Sequence, residues 1–439
     1  MPDFSPDDYA ACLRVLQSLA DDPSQAAEDE RLKGLVAKVN RTARRQLRRE
    51  SAAHDRALDR GAMEATLRCR ADPSAVALPL LPDGDAPATW QRPRRCYVCK
   101  QGYTEVHHRY HLLCPGCAME NEARRSQHAD LCGRIAVLTG GRIKIGLNVG
   151  LFLLRHGAVV HLTTRFPADA RRAYQQQPDH ALWSDRLHIH ALDLRNIPEV
   201  EAFAAWLHGA IPHLDILINN AAQTIKRPLG YYRELLEAEE DAPVLLEAGL
   251  QHLPVPEQAL ALFPAGGRTA EGQPLDLRPM NSWRTALGEV ETAELLEVHL
   301  VNAIAPCLLV ARLKPLLLRS PHERRFVVNV SAMEGQFNWA NKTVHHPHTN
   351  MAKAALNMLT RTSAADYAAD RIYMNSVDTG WVTQENPHPI ATTLRNEGFV
   401  PPLDAVDGAA RVVAPIVDGL HAVDPVSGQF LKDYRPFAW

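Results

Sequence analysis

The chain has 439 residues and a net charge of −3, from 48 Lys and Arg against 51 Asp and Glu. That is room for two or three domains, and so even a balance offers no global attraction to nucleic acid. Hydrophobic residues make up 46% and no run of 18 apolar residues occurs, which leaves a chain with a large core and no obvious membrane span. The start lacks a basic stretch followed by an apolar one, so a cytoplasmic location is expected.

Residues 1–71 are expected to be helical. Leu32, Val36, Val39, Ala43 and Leu47 recur at helical spacing, and Arg41, Arg44, Arg45, Arg48 and Arg49 fill the opposite face. Such a face is either the solvated side of a packed or self-associating helix, or a patch for a nucleic acid or an acidic partner. Residues 72–93 carry Pro79, Pro82, Pro87 and Pro93 and are expected to form a linker.

Residues 94–132 contain Cys96-x2-Cys99 and, fourteen residues on, Cys114-x2-Cys117. Two such pairs bring four soft thiolates into the tetrahedron that Zn2+ takes, so a small zinc ribbon is expected, with a redox dithiol as the alternative. His107, His108, His111, His128 and Cys132 either form a second site or are ordinary surface and packed side chains. The ribbon ends so near the following strand that it is expected to dock on the next domain.

From residue 133 to the end, apolar β-branched runs alternate with amphipathic helical stretches. Residues 135–138, 159–163, 187–191, 215–218, 326–330 and 373–377 have the composition of strands buried on both faces. This is the pattern of an α/β fold with a doubly wound parallel sheet of Rossmann type. One connection, between Ala222 and Asn302, is far longer than a crossover helix needs. An insertion over about 228–292, with acidic Glu234, Glu237, Glu239, Glu240 and Asp241, is expected to be functional and to lie near the substrate side.

The first strand runs into Thr139-Gly140-Gly141-Arg142-Ile143-Lys144-Ile145-Gly146, and a helix follows. Glycines there let the backbone approach a pyrophosphate at a helix N-terminus. The segment resembles the TGxxxGxG turn of short-chain dehydrogenases/reductases, and the resemblance extends from Arg134 to Trp439. Gly140 and Gly146 match its first and third glycines, while Lys144 replaces the second. That lysine would either reach the phosphates or narrow the site. Arg165 stands where NADP-preferring members place a cation, and Thr163 and Thr164 where NAD-preferring members carry an acid. Asp193-Leu194 resembles the adenine-contacting pair, and Asn219-Asn220-Ala221-Ala222 the NNAG motif. Asp378-Thr379-Gly380-Trp381-Val382-Thr383 resembles the segment that covers the nicotinamide. The resemblance implies a Rossmann fold, NADP as cofactor, a small carbonyl/alcohol substrate and a homo-oligomer (dimer or tetramer).

The resemblance also implies a proton-transfer group of Asn, Ser, Tyr and Lys. Asn302 and Lys353 match; the Tyr place holds Thr349, and the Ser place holds Ala332, with Ser331 one position earlier. A Thr hydroxyl titrates far above a phenol and cannot serve as the same acid. Either His348 or His346 supplies the proton, or a tyrosine of the insertion, Tyr231 or Tyr232, does so, or these groups have no such role. If no acid replaces the Tyr, the chain is a binding protein that senses NADP(H) and presents its zinc ribbon or basic helix to a protein partner.

Overall fold

The computed structural model describes residues 5–26, 29–69, 88–239, 261–269, 272–338 and 342–439. Most of the expected linker, together with Glu240 and Asp241, lies outside the described residues.

The apolar runs form one eight-stranded sheet. Its strands are β3 (Ile135–Thr139), β4 (Val159–Thr164), β5 (Leu187–Ala191), β6 (Ile216–Asn219), β7 (Arg325–Ser331), β8 (Ile372–Asp378), β9 (Phe430–Lys432) and β10 (Arg435–Phe437). Their order is β10-β9-β8-β7-β6-β3-β4-β5. All neighbours are parallel except β10 on β9. The order reverses between β3 and β6, which opens a crevice beyond their C-terminal ends. The hairpin β9–β10 was not foreseen, because three-residue strands carry no readable alternation.

Helices cover both faces. On one side α4 (Lys144–Arg155), α5 (Pro167–Gln175) and α12 (Ala405–His421) pack with Leu138, Leu162 and Val328. On the other, α6 (Ile197–Ala210), α9 (Ala305–Leu318) and α10 (Pro347–Ala369) pack with Val137, Leu217 and Val327. Local chemistry sets the helix starts: Asn196 caps α6, and Asp404 caps α12 with Asp407 answering in a capping box. α8 (Thr292–His299) continues into α9 through a π turn, Leu300–Ile304. Thr292–Leu318 is long and apolar enough to cross a membrane, which the sequence reading had missed. Here it is a core helix, with Val298, Leu309, Leu313 and Leu316 fully buried.

The insertion is partly built of regular structure. α7 (Leu229–Glu237) and two short turns, Ser282–Arg284 and Leu287–Glu289, lie within it. Residues 94–132 hold part of the hairpin β1 (Thr89–Arg95) and β2 (Gly102–Glu105), then α3 (Pro115–Arg125). Ahead of them are α1 (Pro6–Asp21), with no buried residue, and α2 (Glu30–Glu64), which buries only Met63. The apolar stripe at Val36, Val39 and Leu47 is exposed among the described residues.

Candidate cofactor and substrate site

A cavity of about 880 Å³ opens beyond the C-terminal ends of β3, β4, β6, β7 and β8. Its floor is the glycine turn. The Thr139 hydroxyl accepts from the backbone N–H groups of Asn220 and Ala221, both at 3.0 Å. The Asn220 amide donates to the carbonyls of Thr139 and Gly140 at 3.1 and 3.0 Å. The two motifs are thereby locked face to face. At Gly140, φ is +69°, and a Cβ would stand 2.7 Å from the Ala221 Cα. At Gly146 a Cβ would stand 2.1 Å from the Gly140 carbonyl oxygen. No side chain caps α4 at Ile143, so its first N–H groups face an open cradle that suits a pyrophosphate. Lys144 keeps the glycine-like conformation, at φ +51°. Its ammonium sits 3.8 Å from Glu385 across the cavity, so it neither fills the turn nor points to solvent. Burial pushes Glu385 up, but Lys144, the Thr383 hydroxyl and Arg227 together hold it below its ordinary range.

At the end of β4, Thr164 is spent on the local turn, its hydroxyl accepting from Phe166 N at 3.1 Å. Arg165 reaches into the cavity and donates to the Tyr232 hydroxyl at 3.1 Å. Arg142 pairs with Asp169 at 2.5 Å, and both arginines lie over the Phe166 ring. Asp193 is tied to Arg195 at 2.5 Å, and Leu194 lines the wall beside it. The insertion, expected near the substrate side, also reaches this end of the cavity: α7 closes it, and the Glu239 carboxylate accepts from the Ala168 and Asp169 N–H groups at the start of α5. Tyr232 is engaged here, three strands from β7, or roughly 14 Å in sheet spacing. That removes Tyr232 as a stand-in for the tyrosine of the family.

Under the end of β7 lies a second set of groups. Lys353 is buried, and its ammonium donates to the Val330 carbonyl at 2.8 Å. Burial pulls it down to about 8, although Glu334 opposes the shift. The Thr349 and Ser331 hydroxyls are buried without a partner, and both residues line the cavity. Ala332 lines it too, so Ser331 shares the wall with the residue in the Ser place. Asn302 sits in the π turn outside the lining, where its amide grips Gln223: Oδ1 accepts from N at 2.7 Å and Nδ2 donates to O at 3.1 Å.

His348 is a correction. It lies outside the cavity lining, 3.3 Å from Glu294, because the helical turn that aims Thr349 at the cavity aims its neighbour elsewhere. His346 does line the cavity. It stacks on Trp283 of the insertion at 3.9 Å, and burial, with His348 and His345 nearby, pulls it down to about 4. It is therefore neutral at pH 7 and a weak proton source. Asp378, at the tip of β8, accepts from Lys432 at 3.2 Å, and Gly380 adopts φ +74°. Val382 and Thr383 line the cavity beyond it, as does Ala222 on the other side.

The four thiols of Cys96, Cys99, Cys114 and Cys117 have their sulfurs within 4.8 Å of one another, with Cys99 and Cys114 at 3.6 Å. Legs of ~2.3 Å at tetrahedral angles give about 3.8 Å between sulfurs, so the set fits a zinc ion. The alternative of a second site from His107, His108, His111, His128 and Cys132 does not find these residues together. His107 and His108 meet Glu122, at 3.4 and 3.1 Å, but Arg109 shares that carboxylate at 3.0 Å. His111 instead bonds the Val400 carbonyl and His128 packs on His156. The sequence reading also missed Tyr97, Trp283, Glu385 and Lys432, which all line the cavity. Only tertiary packing brings them there, and no motif marks them.

A doubly wound parallel sheet with a glycine turn at its reversal point, and a buried lysine under the neighbouring strand ends, defines a Rossmann-type α/β domain. Residues 134–238 match the family model described as short chain dehydrogenase, and 280–397 that described as enoyl-(acyl carrier protein) reductase. The chain belongs to the short-chain dehydrogenase/reductase family. It is 34% identical over 341 residues to an uncharacterised protein of Acanthamoeba polyphaga mimivirus, a match covering 74% of this chain and 71% of that protein. It is 39% identical over 92 residues to a probable oxidoreductase of Streptomyces lividans, covering 21% of this chain and 29% of that protein. The NADPH-bound carbonyl reductase from chicken fatty liver aligns at a TM-score of 0.47 and 21% identity, over 70% of this chain and 100% of that one.

Proposed function

We propose that the chain is an NADP-dependent oxidoreductase acting on a carbonyl/alcohol pair, with a zinc ion held by Cys96, Cys99, Cys114 and Cys117. The observation that carries the reading is Lys353, buried and pulled down to about 8, on the same cavity wall as the unpartnered Ser331 and Thr349 hydroxyls. Family membership supplies the reaction class. Arg165 at the end of β4, preceded by Thr163 and Thr164 rather than an acid and lying beside Arg142 of the glycine turn, favours the 2′-phosphate of NADP.

The cofactor, when bound, supplies or takes the hydride. The chain does the rest. Gly140, Gly146 and the open start of α4 receive the pyrophosphate, and Asp193 with Leu194 flanks the adenine. Gly380, Val382 and Thr383 close over the nicotinamide end. The Thr349 and Ser331 hydroxyls hydrogen-bond the reacting oxygen, and Lys353 is the proton source for it. Asn302 acts at one remove, by holding the Gln223 backbone. A lysine near 8 is charged at pH 7 and can still give up its proton. Carbonyl reduction is therefore expected to fall as pH rises through about 8.

The test is an NADPH titration by fluorescence, then turnover with a panel of aldehydes and ketones. Wild type should bind and turn over, and Lys353→Met should lose at least tenfold in turnover. Binding without turnover on any substrate would overturn the enzyme reading. It would leave the second one, a cofactor-binding sensor, which the Thr at 349 favours. New activity on Thr349→Tyr would then show that only the acid had been lost.

A further inference from the structure

The four-cysteine module is built into the dinucleotide site. Tyr97, between the cysteines of the first pair, and Lys100, directly after the second of them, line the main cavity. The Tyr97 hydroxyl accepts from the backbone N–H of Trp381 at 2.9 Å, inside the segment that closes over the nicotinamide end. A Cβ on Gly380 would lie 3.5 Å from that same oxygen. The module's core of Cys96, Tyr103, Tyr110 and Leu113 is completed by Val382 and Leu403, and Ile145 of the glycine turn packs against it. Gly408 is what lets these meet, since a Cβ there would stand 2.8 Å from Ile145 and 3.1 Å from Val382. Both jaws of the cofactor site, Ile145 and Val382, thus rest on one cluster that includes a thiol of the metal set.

The module is also tied to the sheet domain by buried polar contacts. Arg125 reaches Asp404 and Asp407 at 2.6 and 2.9 Å, and the Tyr110 hydroxyl donates to Asp407 at 2.6 Å. Arg411 donates to the Asn121 amide oxygen at 2.7 Å. Beside the apolar packing, the Tyr97–Trp381 hydrogen bond ties the first cysteine pair directly to the cofactor segment.

We propose that Tyr97 is a positioning residue of the cofactor site, and that metal binding at the four cysteines sets the affinity for NADP(H) through it. The inference rests on the reading above, of a zinc ion and a nicotinamide dinucleotide. A metal joining Cys96 and Cys99 to Cys114 and Cys117 fixes the backbone on both sides of Tyr97. Without it the hydroxyl leaves the Trp381 N–H, and the covering segment loses its anchor. Linkage requires the converse: bound NADPH slows metal loss, and the two affinities change by the same factor.

The experiment uses the full-length protein with its zinc content measured. NADPH is titrated by fluorescence into the zinc-loaded protein, into the same protein after chelation, and after zinc is restored. Far-UV circular dichroism checks the fold at each step. Chelation is expected to weaken NADPH binding by ~10-fold or more, reversibly, with saturating NADPH slowing zinc release to the chelator. Tyr97→Phe keeps the ring and should keep its zinc, yet weaken NADPH binding by ~5-fold, the worth of one hydrogen bond. Unchanged NADPH affinity in folded, chelated protein would overturn the inference, and so would unchanged affinity in zinc-loaded Tyr97→Phe. Zinc-loaded protein that binds no dinucleotide sinks the functional reading and this one together. Protein that binds NADPH but never zinc sinks this one alone.

Discussion

Lys353 illustrates a residue whose place is costly to the fold. It is buried, with one hydrogen bond, to the Val330 carbonyl. Its folded-state value of about 8 lies below the unfolded value near 10.4, so between these the unfolded chain binds more protons and stability rises with pH. Below about pH 8 the buried charge costs on the order of 3 kcal/mol. Lys353→Met should therefore raise the melting temperature at pH 7 while weakening NADPH binding; a lower melting temperature would argue that the ammonium is solvated. Lys144 holds a left-handed conformation at φ +51°, a cost of about 1 kcal/mol. Its ammonium faces Glu385 across the cavity. Lys144→Gly relieves the backbone but removes the ammonium nearest that carboxylate in the cavity, so NADPH binding should weaken by ~10-fold with stability kept. Arg165→Ala should cost NADPH affinity and leave NADH affinity unchanged, read by parallel titrations; equal losses for both would place the 2′-phosphate elsewhere. These residues were legible because the family's motifs carry them at set spacings. Tyr97, Glu385 and Trp283 were not, since they reach the cavity from segments remote in sequence. His348 shows the converse failure: adjacency to Thr349 in the chain is about 100° of rotation on a helix.

At the scale of elements, β3, β4, β6, β7 and β8 were readable because burial on both faces demands continuous apolar runs, whereas β5, expected to be buried likewise, is a half-exposed edge strand. β9 and β10 were not readable, as three residues supply no period. The insertion was visible as surplus chain, but not its division between two ends of the cavity: α7 lies at Arg165 and Trp283 at the histidines beside Thr349. The N-terminal helices separate propensity from packing. Among the described residues α1 buries nothing, and α2 is held to β1 near its end, where Asp59 accepts from Gln91 N at 2.9 Å. Removing residues 1–50 is therefore expected to leave the melting temperature and NADPH affinity unchanged. A clear drop in either would show that the exposed stripe of Val36, Val39 and Leu47 is covered in solution.

At the scale of the whole molecule, the module of residues 94–132 and the sheet domain share a core and buried ion pairs. They should therefore unfold together, with cysteine accessibility and far-UV circular dichroism reporting one transition. Two transitions would mean that the shared cluster is weak. Arg125→Leu is the sharper test. It strands the fully buried Asp407, which burial already pushes up, and should cost about 3–5 kcal/mol.

What the amino-acid sequence determined by itself is whatever depends on neighbours in the chain. That covers the apolar runs of the sheet, the glycine turn, the helix caps, the spacing of the cysteine pairs and the exchange of Tyr for Thr at 349. Tertiary structure alone decided that a tyrosine between two cysteines stands over the cofactor segment, and that the insertion embraces the cavity from both ends. Those contacts join residues hundreds of positions apart, and no local pattern of polarity records which surfaces will meet.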